Sequence, residues 1–76
     1  MFYVAELSSE RYPVIQQIHL CKTGAEAINI GLSIIRDSGR PDEREADIDD
    51  ELRREGLYRP TKYSDWSVCW GEIASE

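Results

Sequence analysis

The stretch "TGAE", Thr23 to Glu26, opens the one segment of this chain with a wide apolar face, and the rest of the fold has to be arranged around it. Thr23 and Glu26 fit a capping box: the threonine hydroxyl accepts from the Glu26 amide while the Glu26 carboxylate reaches back. The helix this predicts runs to about Arg36. Ala27, Ile28, Ile30, Gly31, Leu32, Ile34 and Ile35 form its apolar face, broad enough to be a core face rather than a narrow seam. Gly39 suits a left-handed C-cap, and Pro41 follows soon after.

A chain of 76 residues has room for one such core, because a domain of this size buries only about 60% of its unfolded surface. We therefore expect a single domain. At 41% hydrophobic with seven aromatics, the chain is too apolar for a disordered acidic tail. What packs on the helix is read from period-two patterns. "FYVAEL", residues 2–7, is rich in aromatic and β-branched types and reads as a strand. Residues 8–13 end in Pro13 and read as a turn. "VIQQIHLC", residues 14–21, reads as a second strand and pairs antiparallel with the first. Strict alternation puts Val14, Gln16, Ile18 and Leu20 on one side, and Ile15, Gln17, His19 and Cys21 on the other. "WSVCWGEI", residues 66–73, is a third strand, with Trp66, Val68 and Trp70 on one face and Ser67, Cys69 and Gly71 on the other.

Between the core helix and the last strand lies "PDEREADIDDELRREGLY", residues 41–58. Residues 42–55 hold eight carboxylates and three arginines, a net −5 out of −6 for the whole chain. They read as a second helix. Gly56 suits the position after its end, with Leu57 pairing back onto Leu52. Acids crowd its first turn, and Arg53 and Arg54 close its last, as the helix dipole prefers. Asp49–Arg53 and Asp50–Arg54 are four apart in the favourable order. Ile48 and Leu52, with Ala46 beside them, are its only anchors. Residues 58–65 read as a loop.

The order ββααβ, with helices segregated from strands, predicts an α+β fold. We expect a three-stranded antiparallel sheet with two helices, the first packed on one face. The C-terminal strand is expected beside the first, giving order 2-1-3, with strand 2 beside strand 3 as the alternative.

Function is less constrained than fold. Net −6 argues against direct nucleic-acid binding, which relies on Lys and Arg to displace counterions. It suits a basic protein partner. No apolar run approaches membrane length, and the N-terminal residues lack a basic leader and apolar core. We expect a cytoplasmic protein with reduced cysteines. His19, Cys21 and Cys69 could be read as metal ligands or as a Cys–His nucleophile pair. There is no CxxC and no second histidine, so neither a zinc set nor an oriented nucleophile is assembled. "DIDDE", 47–51, lacks the glycine of a calcium loop, with Leu52 in its place. We expect no catalytic residues, no metal and no cofactor. Trp66 and Trp70 read as core. The sheet's second face, with Ile15, His19, Cys21 and Cys69, is apolar enough to suggest a homodimer.

The acidic helix carries the leading functional reading. Asp is a mediocre helix former, and a helix serving only solubility would carry more lysine. Carboxylates three or four apart stand roughly 5–6 Å from one another at Cβ, the order of phosphate spacing along a nucleic-acid strand. Glu43, Asp47, Asp50 and Glu51 form that face, with Tyr58, Arg59 and Tyr63 as rim contacts. A small acidic α+β domain showing such a carboxylate face resembles the phage-encoded inhibitors of the anti-CRISPR and anti-restriction type. The resemblance is one of general character and rests on no defined motif, so no residue role is carried over. It implies a stoichiometric inhibitor that binds a basic nucleic-acid-binding protein or ribonucleoprotein complex and blocks its guide or target channel.

Overall fold

A computed structural model describes residues 1–8, 14–41, 43–60 and 65–74. Its elements are β1 (Phe2–Ser8), β2 (Val14–Cys21), α1 (Gly24–Ser38), α2 (Glu45–Glu55), β3 (Leu57–Tyr58) and β4 (Trp66–Glu72). The fold is α+β, with an antiparallel sheet of order β2-β1-β4-β3. The C-terminal strand lies beside the first, as expected. Among the described residues the sheet has four strands rather than three, because Leu57 and Tyr58 pair with Cys69 and Val68. The expected turn at residues 8–13 lies largely outside the described residues.

Local signals fix α1. The Thr23 hydroxyl accepts from the Glu26 amide at 3.1 Å. The Glu26 carboxylate accepts from the Lys22 amide at 3.2 Å, one residue earlier than a standard capping box places it. Gly39 ends the helix at φ 68°, its amide donating to the Arg36 carbonyl. Cβ-bearing residues rarely adopt that angle.

The core lies between the two helices and one face of the sheet. Val4, Val68, Trp66 and Tyr58 rise from the strands, and Ala27, Ile28, Ile35, Ile48 and Leu52 descend from the helices. Gly31 lets them meet closely: a Cβ there would lie 3.4 Å from a Leu52 methyl and 3.7 Å from one of Val68. Each of these strand residues faces the helices because it alternates with a neighbour on the other face. Among the described residues, no element packs on that opposite face.

The second strand departs from strict alternation. Glu6 pairs with Gln17, but Leu7 pairs with Ile15, so the register slips at Gln16. This bulge moves Ile15 to the side of Ile18 and Leu20. The expected grouping of Ile15 with His19 and Cys21 is thereby corrected.

Candidate protein-interaction surfaces

Helix α2 folds as an isolated amphipathic turn sequence should. Ile48 and Leu52 are buried, while Ala46 is exposed and adds no anchor. Gly56 takes φ 71° and its amide donates to the Leu52 carbonyl at 3.0 Å. That carbonyl also accepts from Trp70 Nε1 at 2.6 Å, which ties the helix end to β4. Leu57 does not take the expected place against Leu52. Its pairing with Cys69 turns it to the uncovered face, and Tyr58 goes under the helices instead.

The proposed binding face is therefore revised in two places. Tyr58 is fully buried in the core and cannot be a rim contact. Glu43 precedes the helix, whose N-cap is Arg44 without a side-chain capping bond. Asp47 and Asp50 are exposed and Glu51 half-buried on α2. Arg59 is exposed, and Tyr63 lies outside the described residues. Arginines temper the acids: Arg53–Asp49 at 2.7 Å, Arg54–Asp50 at 3.5 Å, Arg44–Asp47 at 3.6 Å and Arg36–Glu45 at 3.8 Å. These pairs are solvent-exposed, so each contributes little. Among the described residues no ion pair reaches Glu43 or Glu51. The surface stays strongly negative.

His19 and the cysteines are not brought together. His19 and Cys21 pair with Val4 and Phe2 on the helix-covered side of the sheet. Cys69 pairs with Ala5 on the other side. Burial pushes the Cys69 thiol above its usual value, which disfavours the thiolate a nucleophile or ligand needs. Cys21 turns its thiol to the Thr23 carbonyl at 3.6 Å. Among the described residues no His, Cys, Asp and Glu side chains cluster as a metal site.

Where β2 overhangs α1, an open groove of about 650 Å³ is lined by Glu6, Gln17, His19 and Asp37 among others. A string of hydrogen bonds crosses its floor. Trp66 Nε1 and Gln17 Nε2 each donate to a Glu6 carboxylate oxygen at 2.7 Å, and Gln17 Oε1 lies 2.7 Å from His19 Nε2. The string has a structural reason. The Trp66 ring is buried, so its N–H requires an acceptor, and Glu6 supplies one.

The feature that strict alternation hid is β2 itself. Val14, Ile15, Ile18 and Leu20 are 54%, 58%, 55% and 61% exposed. Among the described residues the strand is paired on one side only. A signal was present in the residues: eight in a row without a charge, in a chain that is 32% charged. Among the described residues no helix is long and apolar enough to cross a membrane. Comparison with family models, curated proteins and solved structures finds no match to this chain.

Proposed function

We propose that this is a non-enzymatic binding protein, a stoichiometric inhibitor of the anti-CRISPR type. Its acidic segment docks on a basic nucleic-acid-binding surface of a cytoplasmic defence complex. The observation that carries the reading is the placement of net −5 in residues 42–55, most of it on a folded helix whose buried side chains are Ile48 and Leu52. A helix anchored so narrowly turns most of its circumference outward. Its carboxylates are held at fixed spacing, so they can occupy a groove meant for phosphates without first paying to order a chain. Asp47, Asp50 and Glu51 are the contacts from α2, and Glu43 joins them from the segment just before it. The arginines on the same helix set orientation, since a partner must match both signs.

The test is capture of bacterial lysate proteins on the immobilised chain at low and high salt, identified by mass spectrometry. The wild type should retain a basic nucleic-acid-binding protein, released by salt and by competing nucleic acid. The triple variant Asp47→Lys, Asp50→Lys, Glu51→Lys should lose it. Retention unchanged in that variant, with unchanged salt dependence, sinks the proposal.

A further inference from the structure

We infer that the open edge of β2 is a self-association surface: two copies of this chain join antiparallel along β2, fusing two four-stranded sheets into one of eight. This inference does not depend on the role of α2.

Sheet edges are normally protected by shortness, charge, proline, a bulge or a covering element. The two edges of this sheet differ in that respect. The β3 edge is two residues long and has α2 beside it. The β2 edge is eight residues long and contains no Lys, no other charge and no proline. Of the six large hydrophobics exposed among the described residues, four are on this strand. Among the described residues, the bulge at Gln16 is the one protective device on the edge long enough to need several.

Charge identifies the occupant as a second copy. A chain of net −6 repels itself unless the contact lies away from its acids. Residues 42–55 carry −5, and α2 packs beside β3, at the far end of the order β2-β1-β4-β3. Joined at β2, the two β3 edges stand seven strand spacings apart, about 34 Å, well beyond the Debye length of about 8 Å at physiological salt. A charged peptide laid on β2 finds no counter-charge on the strand to hold it. A second β2 needs none.

The side chains are also self-complementary. Opposed residues in an antiparallel pair project to the same face. With Ile18 on the twofold axis, Ile18 meets Ile18 on the open face, Gln17 meets His19 on the helix face, and Leu20 comes opposite the bulge residue Gln16. At the axis an apolar side chain meets its own copy, and beside it an amide meets an imidazole that can exchange a hydrogen bond with it. Such an interface is isologous, as twofold dimers require.

The experiment is sedimentation velocity from roughly 5 to roughly 500 µM, the range that brackets micromolar affinity. The wild type should reach dimer mass. Ile18→Lys places like charges face to face at the axis and should weaken association about 100-fold or more, with an unchanged circular dichroism spectrum because the site is exposed. Leu57→Lys, at the far edge of the same open face, should leave the dimer intact. So should the α2 charge-reversal variant. Amide exchange should show β2 protection rising with protein concentration. A wild type that stays monomeric throughout overturns the inference. So does a dimer that survives Ile18→Lys, or one lost in Leu57→Lys alone, which would assign the contact to the sheet face.

Discussion

Helix α2 and strand β2 stand at opposite ends of the sheet order and break opposite rules. The helix carries six of the chain's acids and buries two side chains, Ile48 and Leu52, in the core. The strand carries no charge at all and exposes four large apolar residues. Each has one stable attachment and one unsatisfied outer surface. The difference lies in what each surface can accept. The helix would suit a partner of opposite sign, as proposed. The strand offers unpaired backbone groups and apolar side chains, which a second copy would match under the inference above. Separating the two kinds of surface across the sheet lets one small domain present both without either interfering with the other.

Comparing how deeply each element is anchored gives the largest expected effect. Leu52→Ala should cost about 2–5 kcal/mol, because Leu52 is fully buried against Gly31 and is half of the α2 anchor. Leu20→Ala, on the exposed strand, should cost no more than about 0.5 kcal/mol in the monomer. Urea unfolding at low protein concentration measures both, and equal losses would erase the distinction between anchored helix and open edge. A smaller effect is expected where α2 stops. Gly56→Ala forces a side chain into φ 71°, and the new Cβ lies 3.5 Å from the Trp70 carbonyl oxygen. A loss of about 1 kcal/mol should follow, seen as a lower thermal midpoint; no loss would mean the left-handed cap does not set the helix end.

Electrostatics sharpens the contrast further. Arg53→Ala removes the closest ion pair of α2, to Asp49 at 2.7 Å. The cost should be about 0.3–0.5 kcal/mol in dilute buffer and should vanish in about 1 M salt. The stability change caused by Leu20→Ala should not respond to salt. A salt-independent Arg53 effect would point to packing by its stem instead.

The smallest effect concerns pH. Burial raises the Cys69 thiol above its ordinary value of 9.0. The unfolded chain therefore releases that proton first as pH rises. Stability from this group is fully present below pH 9.0 and is lost as pH climbs through the folded value. Cys69→Ser should abolish that part of the alkaline decline. Denaturation midpoints of the two proteins that run parallel through the alkaline range would contradict it.

Much of the fold was legible in the residues. Thr23, Glu26 and Gly39 mark α1 because capping uses local bonds. Trp66, Val68 and Trp70 were assigned to one face because alternation is a local property of a strand. The same local logic gave the Asp49–Arg53 and Asp50–Arg54 pairs. What was not legible depends on pairing partners distant in sequence. Two residues, Leu57 and Tyr58, have no pattern of their own; only pairing with β4 makes them a strand and carries Tyr58 into the core. Gln16 looks like any strand residue, yet the slip there decides which face Ile15 joins. Glu43 fell off the acidic helix because the helix starts one turn later than charge alone suggests.

The sequence by itself determined the class of the fold, the two helices and the glycines that cap them, and the concentration of negative charge in residues 42–55. Those follow from side-chain periodicity, capping and charge, which act over a few neighbouring residues. Only the tertiary structure decided that β2 is an open edge, that Tyr58 is core, that Cys69 and His19 lie on opposite faces, and that the acids sit at the far side of the sheet from the neutral strand. Strand order and register bring together residues far apart in the chain, and burial is settled by those neighbours rather than by the residue itself.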